Sequence, residues 1–110
     1  RNLIDARRIG LMAKRPILIN CGRGGLVDEA ALEAALDSGR IAAAGFDVLS
    51  AEPPGADDPN PVLRLAGRPN VILTPHVGWG SQTAMQAAAD MLIGNIEAFM
   101  AGKPTNVVSP

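Results

Sequence analysis

Three apolar stretches without alternation divide this chain: Ile17-Leu18-Ile19, Ile41 to Asp47, and Val71-Ile72-Leu73-Thr74. Runs of that length and pattern predict strands buried on both faces, as in a parallel sheet. Pro16 bars a helix from running into the first, and Pro75 stops the third. The segments between them carry helical spacing instead. Ile9 and Met12 share one face of a short helix that Asp5 caps and Lys14-Arg15-Pro16 ends. Ala31, Leu32, Ala35 and Leu36 form the inner face of a helix from about Glu29 to Ser38. Asp28 caps it, Glu29 suits its partly positive first turn, and Gly39 is its left-handed stop. A longer helix, from about Gln82 to Ala101, starts at a Ser81 cap and ends at Gly102. Met85, Ala89, Leu92, Ile96 and Phe99 mark its apolar stripe, with Met100 beside it. At 1.5 Å per residue that helix is about 30 Å long, enough to reach beyond a three-strand sheet.

This order of elements predicts an α/β fold. It is a partial, doubly wound parallel sheet of about three strands, with flanking helices and a long C-terminal helix. A chain of 110 residues supports one domain at most. Ser50 to Arg68, rich in proline, is too long for an idle connector and predicts a functional loop, with one helical turn over Pro61 to Leu65. The small residues Ala42-Ala43-Ala44-Gly45 mark the second strand as a place where a helix or ligand approaches closely.

Composition narrows the function by exclusion. A net charge of −1, 3% aromatic content and no basic block argue against a nucleic-acid partner. No apolar run approaches the ~20 residues that cross a bilayer. The single cysteine, Cys21, forms no internal disulfide and fits a reducing, cytoplasmic setting. Within its motif it reads as a small packed residue rather than a nucleophile. No metal-ligating pattern is present in the sequence.

What remains is where the reactive side chains fall. Arg23 lies in a glycine-rich segment after the first strand, Asp47 and Glu52 follow the second, and His76 follows the third. With parallel strands, all lie along one carboxyl edge, where open α/β sheets bind ligands. Arginine offers a planar fork that grips a carboxylate with two hydrogen bonds. Histidine exchanges a proton near neutral pH, and a nearby carboxylate orients its ring and favours its charged form. Together these groups fit reduction of a carbonyl beside a carboxylate. Each also has a plainer reading: Arg23 as a surface residue or backbone clamp, Glu52 as a solvated side chain, His76 as a structural histidine, Asp47 as a turn cap. Trp79 reads as either core or pocket wall.

Asn20-Cys21-Gly22-Arg23-Gly24-Gly25-Leu26-Val27-Asp28-Glu29, then Gly45-Phe46-Asp47-Val48 leading to Glu52-Pro53, then Leu73-Thr74-Pro75-His76, form three linked motifs. In order and separation they resemble the late signatures of the D-2-hydroxyacid dehydrogenases, over nearly the whole chain. The resemblance implies a Rossmann-type domain in which Arg23 binds the substrate carboxylate and carbonyl. It implies that His76 is the catalytic acid–base, that Glu52 pairs with it, and that Asp47 hydrogen-bonds a nicotinamide carboxamide. Backbone at Cys21, Gly22 and Gly78, beside Arg23 and His76, would line the nicotinamide side of NAD or NADP. The segment His76-Val77-Gly78-Trp79-Gly80-Ser81, with Asn95-Ile96-Glu97-Ala98-Phe99 and Gly102-Lys103-Pro104, is similar to the glycerate dehydrogenase and hydroxypyruvate reductase branch. Formate dehydrogenase relatives are expected to carry glutamine where Glu52 stands.

The chain departs from that family in lacking a G-x-G-x-x-G fingerprint, the acidic residue that follows it, and the substrate-binding domain. The resemblance therefore implies that residues 1–80 are the C-terminal half of an NAD-binding domain. Residues 81–110 would be the closing helix and a tail returning toward the absent substrate domain. Alone, such a piece is expected to bind dinucleotide weakly, to turn over nothing measurable, and to expose an apolar sheet edge. The full-length protein is expected to be a cytoplasmic homodimer that reduces small 2-oxo acids, such as hydroxypyruvate or glyoxylate, to D-2-hydroxy acids. Neither nucleic acid nor membrane is an expected partner. The alternative is a non-catalytic, NAD(H)-responsive regulatory protein of the same fold.

Overall fold

The computed structural model describes residues 1–55 and 57–108. Its elements are α1 (Ala6–Leu11), β1 (Ile17–Asn20), α2 (Glu29–Asp37), β2 (Ala43–Phe46), α3 (Pro61–Leu65), β3 (Val71–Leu73) and α4 (Gln82–Met100). The chain divides into two compact units, Arg1–Val77 and Gly78–Pro110.

In the first unit the three strands form a parallel sheet in the order β1-β2-β3. The helix ends follow local chemistry. Asp5 accepts from the Arg8 N–H at 2.8 Å and Asp28 from the Ala31 N–H at 3.0 Å, while Gly39 stops α2 with a φ of +69°. Asn60 caps α3, with Pro61 as its first residue, where a missing N–H costs nothing. In register, Leu18, Ala44 and Val71 lie side by side, as do Phe46 and Leu73 beyond them. That face meets Leu32, Leu36, Val62 and Leu65 of the helices and forms the core.

The opposite face corrects the expectation of strands buried on both sides. Ile17, Ile19 and Ile72 are 65%, 70% and 69% exposed. Two crossovers that step the same way across a parallel sheet place their helices on one face, so the unit covers only that face. β1 lies at an edge of this sheet by the strand order, and its uncovered face is apolar. β2 is shorter than its apolar run because the Ile41 N–H bonds the Ala35 carbonyl, finishing α2 rather than joining the ladder. No helix of the unit approaches Gly45, where a Cβ would sit 3.7 Å from Ile19 in ordinary contact.

In the second unit, Ser81 caps α4 by accepting from the Ala84 N–H at 3.1 Å, and Gly102 follows its end with a φ of +70°. The apolar stripe of α4 is not core: none of its residues is buried, and Trp79 is exposed as well. The tail turns back along the helix, where Asn106 Nδ2 donates to Asn95 Oδ1 at 2.9 Å. The last two residues of the tail lie outside the described residues. Among the described residues no helix is long and apolar enough to cross a membrane, and no group of three or more His, Cys, Asp and Glu side chains could hold a metal ion.

Candidate active site

The carboxyl ends of the three strands are level. The Asp47 N–H bonds the Asn20 carbonyl at 3.0 Å and the Thr74 N–H bonds the Phe46 carbonyl at 2.9 Å. The segments that follow each strand therefore begin along one edge, and they carry the residues expected there.

The first of them is a turn built by a buried side chain that the sequence reading did not single out. Asn20 Oδ1 accepts from the Gly22 N–H at 3.2 Å, and its Nδ2 donates to the Arg23 carbonyl at 3.0 Å. An Asx-type turn of this kind needs an amide, not an apolar residue, at the end of a strand. It leaves Cys21 and Gly22 exposed and holds Arg23 outward, with its Nη1 donating to the Gly22 carbonyl at 3.2 Å. Beyond it, the Asn2 and Ile4 N–H groups bond the Gly25 and Leu26 carbonyls, anchoring the far end of the loop. Gly24 is the close approach in this molecule. A Cβ there would lie 1.6 Å from the Leu49 carbonyl oxygen, so only glycine lets the two loops touch.

The second segment holds Asp47 and Glu52. Asp47 is buried, and its Oδ1 accepts from the Val77 N–H at 3.0 Å and the Thr74 hydroxyl at 2.5 Å. These two donors flank His76, whose φ of +54° is left-handed, a conformation that costs a non-glycine residue about 1 kcal/mol or more. Glu52 receives the Leu49 N–H on Oε1 at 2.6 Å and faces His76 Nδ1 with Oε2, also at 2.6 Å. The Leu49 amide, and after it His76 and the charge of Arg23, hold the Glu52 carboxyl below its ordinary value. An ionised carboxylate only accepts, so Nδ1 carries the proton and Nε2 is the nitrogen that exchanges one.

Because the folded-state value is depressed, the stabilisation from this carboxylate is full above the ordinary glutamate range. It is lost as pH falls through the lower folded midpoint. Carboxyl-detected NMR of Glu52 is expected to give a midpoint below 4.5; one at or above it would contradict the pairing.

Asp47, Glu52, Thr74 and His76 share a cavity of about 560 Å³ with an apolar wall that includes Leu49, Leu63 and Leu73. That is within the ~300–1,000 Å³ of small-molecule sites. Arg23 does not line it. Glu52 and His76 are thus joined directly, Asp47 is joined to the Val77 N–H after His76 and to the Thr74 hydroxyl before it, and Arg23 acts on Glu52 through its charge. Gly78 belongs to the second unit.

A parallel α/β sheet with a cavity at the carboxyl ends of its strands is the layout of a Rossmann-type domain. Residues 1–78 match the family model of the D-isomer specific 2-hydroxyacid dehydrogenase NAD-binding domain, and the chain belongs to that family. It is 56% identical to the glycerate dehydrogenase of Methylorubrum extorquens, covering 98% of this chain and 33% of the relative. It is 38% identical to the hydroxypyruvate reductase of Blautia hydrogenotrophica, over 97% of this chain and 32% of the relative. The chain thus spans about a third of these relatives. Among solved structures it resembles a D-isomer specific 2-hydroxyacid dehydrogenase from Xanthobacter autotrophicus Py2 in complex with NADPH and MES. That match has 39% identity and a TM-score of 0.74, over 96% of this chain and 41% of that one. The D-lactate dehydrogenase of Lactobacillus jensenii, solved with NAD+, matches with 37% identity and a TM-score of 0.76, over 99% of this chain and 36% of that one.

Proposed function

We propose that this chain is the C-terminal half of the NAD-binding domain of an oxidoreductase, residues 1–80, followed by the helix and tail, 81–110, that lead back toward a substrate domain. The reaction is reduction of a small 2-oxo acid to its D-2-hydroxy acid. The observation that carries the reading is the 2.6 Å contact between His76 Nδ1 and Glu52 Oε2, beside a cavity at the carboxyl edge of the sheet.

The donor set fits the nicotinamide end of NAD or NADP. Asp47 offers a buried carboxylate to a carboxamide N–H, and the exposed segment Cys21-Gly22, whose Gly22 N–H is held by Asn20, lies along the same strand edge on the nicotinamide side. When bound, the reduced cofactor supplies the hydride for the substrate's C2. Arg23 holds the substrate carboxylate with its guanidinium fork, which has five N–H donors. His76 gives the Nε2 proton to the carbonyl oxygen as that oxygen gains negative charge, and Glu52 keeps the ring oriented and balances its charge. The likeness to a glycerate dehydrogenase and a hydroxypyruvate reductase favours hydroxypyruvate as substrate, and 39% identity to glyoxylate/hydroxypyruvate reductases adds glyoxylate. The lone cysteine fits action in the cytoplasm.

The direct test follows NADH and NADPH absorbance in the full-length protein with hydroxypyruvate, glyoxylate and pyruvate. Oxidation is expected with hydroxypyruvate or glyoxylate. Binding of NADH without consumption of any acid would overturn the enzymatic reading in favour of a cofactor-responsive regulator.

A further inference from the structure

Glu29 opens α2, yet its side chain is turned inward and only 9% exposed. A carboxyl group buried that far is retained only with partners, and the partners it has come from the loop between β2 and α3. The Ser50 N–H donates to Oε1 at 3.1 Å, and the Ser50 hydroxyl donates to Oε2 at 2.9 Å. Asn60 Nδ2 donates to the same Oε2 at 2.7 Å and to Ser50 Oγ at 3.1 Å, while its oxygen caps α3.

That loop carries Glu52. The peptide between Leu49 and Ser50 is fixed at both edges, its carbonyl pressed on Gly24 and its N–H held by Glu29. The neighbouring Leu49 N–H is the donor that fixes Glu52 Oε1, and Glu52 Oε2 meets His76. We infer that Glu29 is a positioning residue for the Glu52–His76 pair, holding through Ser50 the backbone from which Glu52 is oriented. The inference rests on the reading of His76 as the acid–base group.

The test is a polarity swap. In Glu29→Gln the new amide NH2 faces the donors of Asn60 and Ser50, and the network opens. Adding Asn60→Asp reverses the polarity of the pair. The glutamine amide at position 29 then donates to the new carboxylate at position 60 and to Ser50 Oγ, while its oxygen still accepts from the Ser50 N–H. That carboxylate still caps α3, and net charge is unchanged.

The readout is the tautomer of the neutral ring, by long-range proton–nitrogen NMR on this chain, which has one histidine. The wild type and the double variant are expected to hold the proton on Nδ1, and Glu29→Gln to shift it toward Nε2. In the full-length protein, kcat is expected to fall about tenfold or more in the single variant and to recover in the double, with cofactor affinity unchanged. A single variant that melts at lower temperature but keeps the wild-type tautomer and rate would show a structural role only and overturn the inference. So would a double variant that stays at the level of the single. Should the full-length wild type turn over no 2-oxo acid while the tautomer still follows Glu29, the functional reading fails and the positioning role stands.

Discussion

Replacing His76 by alanine in the full-length protein is expected to lower kcat by about 10²–10⁴-fold, the range lost when a general acid is removed, and to leave cofactor affinity nearly unchanged. The magnitude follows from geometry. Glu52, held by the Leu49 amide, fixes one side of the ring, so on the proposed mechanism removing the imidazole takes away both the proton donor and its orientation. The left-handed backbone at this position calls for a second variant. His76→Asn tolerates the same φ and removes the acid equally, so it should show the same loss with the loop intact. Steady-state rates beside a cofactor titration make the measurement. An unchanged kcat in either variant removes His76 from the mechanism.

Gly24→Ala is expected to be the most damaging single-methyl change in the first unit. The added carbon would lie 1.6 Å from the Leu49 oxygen, 2.1 Å from its carbonyl carbon and 2.6 Å from the Ser50 nitrogen. All three are backbone atoms, so no side chain can swing aside. The arginine loop and the Glu52 loop must separate, at a cost of about 1–3 kcal/mol or more. Because the same contact joins the loop that carries Arg23 to the loop that carries Glu52, kcat/KM in the full-length protein is also expected to fall about 10²-fold. Urea denaturation reads the stability, with Gly10→Ala as control, since a Cβ at Gly10 meets nothing within 4 Å. A Gly24→Ala midpoint equal to wild type would mean that the loops do not touch.

The parts of this molecule legible in its sequence are those decided locally. Asp5, Asp28 and Ser81 cap the helices expected of them, and Gly39 and Gly102 adopt the left-handed stops. The parallel order and the meeting of Glu52 with His76 were also legible, because linked motifs carry more information than any one residue. What escaped depends on partners distant in sequence. Glu29 suits a helix N-terminus by its charge, and nothing nearby announces that it reaches Ser50 and Asn60 instead. Gly45 and Gly24 look equally suited to close approach, and only the path of the Leu49 backbone separates them. The run Ile17-Leu18-Ile19 is apolar throughout, which conceals that Leu18 alone of the three is buried. Asn20 ends a strand inconspicuously, yet both ends of its amide shape the arginine loop.

His76 hangs from β3, a three-residue strand that pairs only with β2 among the described residues. Short edge strands open at a free energy well below that of global unfolding, because few ladder bonds must break and little core need be exposed. Such an opening would part His76 from Glu52 while β1, β2 and their helices stay folded. The lifetime of the Glu52–His76 contact is therefore expected to follow local breathing of one strand end rather than the stability of the domain. Heat or denaturant should silence the site while the bulk of the fold is still native.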